Sequence, residues 1–474
     1  MSSVPKILIV DLDGTLIKSD MLFETFWSSV SNNLIKTLIS IFKLYRGKAY
    51  FKKCLAEISN VDIKLLPYNK QVINYINLQK SKGFKIALVT ATNADIAIKI
   101  SDYLNLFDEV HGSSRKINLK GINKANFQNE RYGKKNYDYL GNSYYDMQIW
   151  RDSNKAIFVN KRGILNNIYR TINPNHLFLE DNDNNLLFSF LEEIRPYQWI
   201  KNTLVFVPIL AAHQINIPYL TKGIFSFLAF SLVASGVYLI NDLLDLEADR
   251  CHPKKCKRPL ASGRLPLDLG TFSSVLFVIL GGILGLKVGI DFFILLLSYF
   301  LITLTYSIYI KRKAVIDIFV LTGLYTFRII GGGLATDLEI SFWLLGFSIF
   351  IFLSLASVKR QSELVDIEKR GKFRIVGRGY EIDDLQFISQ LALTSGLLST
   401  LIIALYINSP NVLSLYQNPE YLWLTCCLLL FWIIRICFIT SKGKMHNDPI
   451  IFAIKDKLSL MLISVILLFT ILAI

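Results

Sequence analysis

Two groups of acidic residues are spaced so that they could work on phosphates. The first is Asp11-Leu-Asp13-Gly14-Thr15, directly after the apolar run Ile7 to Val10. Two carboxylates therefore stand at the C-terminal end of an expected buried strand, where open α/β sheets hold ligands, and Gly14 permits a sharp turn that brings backbone amides to a phosphate. The second is Asn241-Asp242-Leu-Leu-Asp245-Leu-Glu-Ala-Asp249, at the end of an apolar segment. On a continuous helix Asn241, Asp245 and Asp249 recur every four residues on one face, and Asp242 lies three before Asp245, so several oxygens can converge on hard cations. A solvated helix end is the simpler alternative. Asn241, a fourth oxygen donor, tips the reading toward a metal site.

The elements that must position these groups fall into two kinds. Met1 to about Asn185 reads as mixed soluble sequence, with further strands expected over Lys85 to Val89, ending in Thr90-Ala-Thr92, and before Gly141-Asn142-Ser143, followed by Asp146. Ile17 to Gly83 is too long for a plain crossover and helix-like over Phe23 to Tyr45, which predicts a helical cap. The basic run Lys43, Arg46, Lys48, Lys52 and Lys53 reads as a solvated helix face, with contact to anionic lipid as the alternative. The polar stretch Asn173 to Asn185 is the expected join.

From Thr203 onward, apolar segments recur at about Thr203–Gln214, Ile224–Leu244, Phe272–Val288, Phe292–Ile308, Val315–Leu334, Phe342–Val358, Phe387–Ile407, Tyr421–Ile439 and Leu458–Ile474. This predicts about nine membrane spans, in a chain that is 52% hydrophobic and 19% charged. Basic residues alternate between connections: Arg250 to Arg264 after the second span, Lys311 to Lys313 after the fourth, Lys359 to Arg378 after the sixth and Lys442 to Lys457 after the eighth. By the positive-inside rule these loops are cytoplasmic, with the N-terminus inside and the C-terminus outside. That placement accounts for most of the +15 net charge, so nucleic acid is not needed as a partner. The stretch Ile7 to Val10 is too short for a secretory signal, and the N-terminal domain is expected to stay cytoplasmic. The six cysteines imply no disulfide framework, and Cys251-His252 with Cys256 reads as a basic loop rather than a metal site.

The first acidic motif, with Thr90 and a basic residue downstream, resembles the haloacid dehalogenase-like (HAD) hydrolases over roughly Met1 to Arg170. The resemblance implies a Rossmann-like α/β domain at 1–172 with a cap at about 17–83. Asp11 is then the nucleophile and Asp13 the acid/base, Thr90 binds phosphate, and Lys124 (with Lys120 second) neutralises the phosphoryl group. Mg²⁺ would be held by Asp11, Asp13, Asn142 and Asp146. The family usually has two acids in its last motif, and Asn142 here removes one charge from the metal site.

The second motif, followed by a basic loop within nine spans, resembles the UbiA superfamily of intramembrane prenyltransferases. The likeness covers about Glu193 to Ile474 and implies an all-α membrane domain at 191–474, joined by a linker at 173–190. Arg195-Pro-Tyr-Gln-Trp199-Ile-Lys201-Asn202 and Asp249-Arg-Cys-His252-Pro with Arg258-Pro are similar to decaprenyl-phosphate phosphoribosyltransferases within that superfamily. This implies transfer of ribose 5-phosphate from phosphoribosyl pyrophosphate to a polyprenyl phosphate, with Mg²⁺ on Asn241, Asp242, Asp245 and Asp249. Lys201, Asn202, Arg258, Lys311, Lys359 and Arg360 would contact phosphate, and Glu363 the ribose or a second ion. Lys359-Arg360-Gln-Ser-Glu363-Leu-Val-Asp366 departs from the acidic second motif of ordinary prenyltransferases, and more bases suit a donor with an extra phosphate. Two other readings stand beside this one: prenylation of an aromatic acceptor, and an ion or lipid transporter with a regulatory soluble domain.

Overall fold

The computed structural model describes residues 6–113, 119–159, 171–179, 185–371, 378–445 and 448–474. Expectations that fall on 160–170, on 180–184 of the join, or on Lys372 and Arg374 lie outside them. By contacts the chain divides into two units, Met1–Ile194 with Tyr238–Ser274, and Arg195–Val237 with Val275–Ile474. The division differs from the one expected between 172 and 191, because the segment carrying the second acidic motif and its basic loop packs with the N-terminal residues.

The first unit is built on a six-stranded parallel sheet in the order β3-β2-β1-β4-β5-β6, with β1 Ile7–Val10, β2 Lys85–Asn93, β3 Glu109–Ser113, β4 Tyr137–Gly141, β5 Lys155–Val159 and β6 His176–Leu179. The four inner strands β2, β1, β4 and β5 are short, largely apolar runs buried on both faces, as parallel sheets require, while the edge strands β3 and β6 are half-buried. Leu8, Val10, Ile86 and Leu88 enter one apolar layer and Ile9, Ala87, Val89 and Tyr139 the other. The chain leaves β1 toward β2 on one side and lies against β4 on the other. The C-terminal end of β1 is therefore the switch point of the sheet, and Asp11 follows it directly. Strand β6 pairs with β5, so the expected linker at 173–190 contains an edge strand and the start of a helix.

Between β1 and β2 the expected cap is four helices: α1 Met21–Asn32, α2 Leu34–Phe42, α3 Lys48–Ile58 and α4 Lys70–Ser81. Asp20 caps α1, Asn33 caps α2 and Asn69 caps α4, each side chain accepting a backbone N–H from the first turn. The remaining helices flanking the sheet are α5 Ala94–Leu104, α6 Ile122–Tyr132 and α7 Met147–Asp152, and α8 Leu186–Ile194 follows β6.

The second unit is helical. Its long helices are α9 Ile217–Leu244, whose last turns belong to the first unit, then α11 Leu267–Val288, α12 Ile290–Ile308, α13 Ile316–Thr336, α14 Phe342–Lys369, α15 Leu385–Ile407 and α16 Leu422–Ser441. The short α10, Leu246–Cys251, and the first turns of α11 belong to the first unit, and α17 Pro449–Lys455 and α18 Lys457–Ala473 close the chain. Among the described residues seven helices are long and apolar enough to cross a membrane, or eight if α17 and α18, bent by 85°, form one span. The segment Thr203–Gln214, expected as a first span, is instead the end of a 3-10 stretch, Pro196–Phe206, and the short helix Val207–Ala211. Pro196 and Pro208 interrupt regular pairing there. The stretch packs so tightly on α13 that a Cβ at Gly332 would come within 2.0 Å of the Val205 carbonyl oxygen.

That contact is testable. Gly332→Ala forces backbone apart, at a cost of about 1–3 kcal/mol typical of overpacking, and should lower the melting temperature of detergent-purified protein by several degrees. Gly323→Ala, on the same helix with no atom within 4 Å of its added Cβ, should leave it unchanged or raise it slightly.

Candidate functional site

The end of β1 delivers Asp11 among buried polar side chains of the first unit, with Thr90, Thr92, Lys124 and Asp146. The Asp11 amide donates to the Leu140 carbonyl (3.0 Å), and the Leu12 amide donates to Asp11 Oδ1 (2.8 Å). Lys124, buried on α6, pairs with Asp11 Oδ1 at 2.7 Å and lies over the Tyr139 ring. Lys120, the second candidate, lies instead over the Tyr145 ring. The Thr90 hydroxyl, at the end of β2, is buried and accepts the Thr92 amide. Gly14 takes φ +68°, and a Cβ there would overlap the Asn142 amide, whose Oδ1 accepts the Thr15 hydroxyl at 3.3 Å. Asn142 thus closes the turn after β1 as a neutral hydrogen-bonding residue.

Asp13 is held away from Lys124. Its Oδ1 accepts the Met21 amide (2.8 Å) and its Oδ2 the Thr92 hydroxyl (2.7 Å). Burial, then the nearby Asp20 charge, pushes its carboxyl up to about 7, which keeps much of it protonated at neutral pH. Asp146 accepts the Tyr139 hydroxyl and the Ser143 amide, both at 2.9 Å. Burial, and next the Asp11 charge, raises it to about 6, with Lys124 opposing. A nucleophile-type carboxylate beside a buried lysine, with a protonated acid nearby, is the combination phosphoryl transfer to a carboxylate needs.

Three participants were not singled out from sequence. Lys52 reaches down from cap helix α3 to donate to the Ala91 carbonyl (2.8 Å), between Thr90 and Thr92. Burial lowers its ammonium and the charges of Asp13 and Asp20 oppose the drop. Asp20, raised by burial, and Thr92 complete the rim. In sequence Lys52 is one base in a basic run, and only the folding of the cap back over β2 distinguishes it.

The second acidic motif does not run on as one helix. Helix α9 ends at Leu244 and Asp245 is the residue before α10, yet the Asp245 amide still donates to the Asn241 carbonyl (2.9 Å) and the Asp249 amide to the Asp245 carbonyl (2.8 Å), so the four-residue spacing is kept along the backbone. Asp242 and Asp249, two helical turns apart, share one partner: Arg258 Nη1 donates to Asp242 Oδ1 (2.8 Å) and to Asp249 Oδ2 (2.6 Å). Burial raises the Asp249 carboxyl and Arg258 opposes the rise. Asn241 Oδ1 is buried and has no hydrogen-bond partner among the described residues. Among the described residues no three acidic, His or Cys side chains form a metal cage. Two carboxylates and one orphaned amide oxygen still suit a hard cation, provided phosphate oxygens complete its shell. In the basic loop, His252 Nδ1 accepts the Lys254 and Lys255 amides, so His252 shapes a turn, as the loop reading expects.

The same segment is tied to the cap. Arg250 makes a bidentate ion pair with Glu24 of α1 (3.1 and 2.6 Å), its Nε donating to the Ala261 carbonyl, and both side chains are buried. Trp27 Nε1 donates to Thr271 Oγ1 at 2.9 Å, and Phe23 packs edge-on against Phe272.

In the second unit three of the expected phosphate contacts, Lys201, Asn202 and Arg360, are already paired internally. Lys201 forms an ion pair with Asp448. Asn202 accepts from Arg328 Nε (2.7 Å) and donates to Ser231. Arg360, wholly buried, donates to Asp317 (2.6 Å), to the Tyr306 hydroxyl (3.0 Å) and to Glu363, and Arg378 joins Glu363 at 3.1 Å. Lys359 is half-buried beside Arg360, and Lys311 lies in the 3-10 turn Ile310–Arg312 after α12. Asp317, Arg328 and Asp448 were missed. The sequence held a signal for the first two, since ionisable residues inside apolar helices mark functional or paired positions.

Comparison with known proteins adds the following. The UbiA prenyltransferase family model matches residues 203–466. An uncharacterised protein of Sinorhizobium fredii is 34% identical over 454 residues, covering 95% of this chain and 88% of that protein. A decaprenyl-phosphate phosphoribosyltransferase of Mycolicibacterium smegmatis is 31% identical over 280 residues, covering 58% of this chain and 88% of that one. A UbiA homologue from Archaeoglobus fulgidus, solved with GPP and Mg²⁺, superposes with a TM-score of 0.46 at 15% identity, covering 59% of this chain and 99% of that one.

Removing the guanidinium should expose the cation preference of the acidic pair. Arg258→Gln leaves Asp242 and Asp249 buried without their shared partner, a loss of about 3–5 kcal/mol for a buried pair. Its melting temperature should fall in metal-free buffer and recover on adding millimolar Mg²⁺ by more than wild type gains. Equal responses to Mg²⁺ would remove the assignment of a cation to these carboxylates.

Proposed function

Because this chain belongs to the UbiA prenyltransferase family, we propose that its membrane half transfers ribose 5-phosphate from phosphoribosyl pyrophosphate to a polyprenyl phosphate, and that its N-terminal unit then removes the 5-phosphate from the lipid product. The observation that carries this reading is the phosphoribosyltransferase relative, aligned over most of its own length. The base-rich second motif supports it, since Lys359, Arg360 and Arg378 suit a donor with three phosphate groups better than a simple prenyl diphosphate.

In the transfer step the bond from ribose C1 to the diphosphate oxygen breaks, positive charge grows at C1, and a phosphate oxygen of the polyprenyl phosphate closes on it. Mg²⁺, when bound, supplies Lewis-acid stabilisation of the departing diphosphate. Asp242, Asp245, Asp249 and Asn241 are assigned to that metal–diphosphate. Arg258, now bridging two carboxylates, is free to exchange one of them for phosphate. Lys201, Asn202, Lys311, Lys359 and Arg360 are assigned to phosphate and Glu363 to the ribose. Lys201, Arg258, Arg360 and Glu363 each have an opposite charge to relinquish or share as a polyanion enters. The basic loops support a cytoplasmic face for this chemistry in the inner membrane, with the C-terminus outside.

In the hydrolytic step Asp11 attacks the 5-phosphate and the P–O bond to the ribose breaks, with Asp13 giving its proton to the departing ribose oxygen. Water then attacks the aspartyl phosphate while Asp13 takes the proton back. Lys124 and Thr90 offset phosphoryl charge, and Asp146 is assigned to Mg²⁺. The raised Asp13 carboxyl suits the first half-reaction, because an ordinary aspartate would be ionised at neutral pH and unable to donate.

Purified protein supplied with labelled phosphoribosyl pyrophosphate, polyprenyl phosphate and Mg²⁺ should yield a labelled lipid lacking its 5-phosphate. Consumption of a prenyl diphosphate with an aromatic acceptor instead would favour ordinary prenyl transfer, and no diphosphate release from either donor would favour transport. Asp11→Asn should accumulate the 5-phosphorylated lipid, seen by mass spectrometry; an unchanged product ratio would remove the phosphatase assignment. Formation of the phospho-enzyme in single turnover should decline as pH rises through about 7, where Asp13 loses its proton, and Asp13→Asn should abolish that limb.

A further inference from the structure

Helix α2 is folded inside out for a protein in water. Its buried residues are Thr37 (0% exposed) and Ser40 (2%), whose hydroxyls are satisfied by their own helix, donating to the Asn33 and Thr37 carbonyls. Leu34, Ile35, Leu38, Ile39, Ile41 and Phe42 form the outward face, with Ile35 71% and Phe42 80% exposed, and Tyr45 follows at 77%. A helix packed on a soluble domain turns its apolar stripe inward. An exposed patch of this kind marks a binding surface.

Charge identifies the partner. Between Glu24 and Glu57 the chain carries six Lys and Arg residues and no Asp or Glu. Lys36 and Arg46 are exposed at the margins of the apolar face and Lys43 is half-exposed. Arg46 is flanked by the rings of Tyr45 and Tyr50, each centroid 5.5 Å from its guanidinium carbon. Apolar residues in the centre, tyrosines and bases at the edge, and no acids describe an interfacial helix on an anionic bilayer.

Position agrees. Helix α1, which leads into α2 through Asn33, is fastened by Trp27 to Thr271 and by Phe23 to Phe272. Both partners lie in the first turns of α11, a helix long and apolar enough to cross a membrane. Twelve residues of α1 extend about 18 Å, so α2 starts within that reach of a membrane-entering helix.

We propose that α2 is a monotopic anchor: its Leu/Ile/Phe face inserts among the acyl chains at the bilayer surface, and Lys36, Lys43 and Arg46 contact anionic lipid headgroups. The inference does not depend on which substrate the membrane half takes. It gives the cap a fixed place at the lipid surface, so that a phosphorylated lipid headgroup is met there rather than extracted into water.

The test uses the full chain in nanodiscs of neutral lipid or of neutral lipid mixed with anionic phosphatidylglycerol. A photoreactive benzophenone side chain replaces Ile35, Phe42 or, as control, Leu78, which is exposed on α4 just before the N-terminal end of β2. All three positions are on the surface, so folding is not at stake. Mass spectrometry should find lipid adducts at 35 and 42 about tenfold above those at 78. Combined Lys36→Gln, Lys43→Gln and Arg46→Gln should reduce the adducts several-fold in anionic discs only. Adducts joining two copies of the chain, or lipid labelling at 42 no greater than at 78, would overturn the proposal. A yield unaffected by the triple substitution would overturn the headgroup contacts.

Discussion

Buried carboxylate charge is the constraint around which this chain is organised. Asp11, Glu24, Asp242, Asp249, Asp317 and Asp448 are all sequestered from solvent, and each is matched by a cation: Lys124, Arg250, Arg258 for the paired acids, Arg360 and Lys201. Isolated, any one of these charges would cost several kcal/mol, and pairing with good hydrogen-bond geometry offsets that cost. Most partners come from a different element, so the pairs also fix how elements dock. The Arg250–Glu24 pair is the plainest case, joining the acidic motif's short helix to the cap across more than two hundred residues of sequence.

The same pairs are suited to work. Under the proposed function, a guanidinium that already spans two carboxylates, or a lysine held against one, gives an incoming polyanion a cation prepared in position. Preorganisation of this kind supplies much of the stabilisation in transfer reactions of phosphate esters. It also explains why Asp13 stands apart from the pattern. Its oxygens accept an amide and a hydroxyl, Lys52 interacts with it without an ion pair among the described residues, and burial leaves it with a proton to give.

The bond between the cap and the segment Tyr238–Ser274 changes how the domains are read. Hydropathy alone separates a soluble half from a membrane half. Contacts instead assign the second acidic motif, its basic loop and the start of α11 to the same unit as the parallel sheet. The two acidic motifs are thus held by one packed body, which is a structural reason for their fusion in a single chain.

How much of this was legible beforehand follows from the range of the interactions. The strand before Asp11, the turn at Gly14, the helical cap and the recurring apolar helices depend on local pattern, and the sequence alone determined them, together with Lys124 as a basic residue suited to Asp11. The UbiA resemblance likewise rested on contiguous motifs. What tertiary structure decided is long-range: that Arg258 bridges Asp242 and Asp249, that Lys52 folds over β2, that Thr203–Gln214 packs as a short segment against Gly332, and that Asp448 answers Lys201. Period and composition describe neighbours along the chain. A buried charge is satisfied by whatever the fold brings within about 3 Å, and that choice is made only when the elements pack.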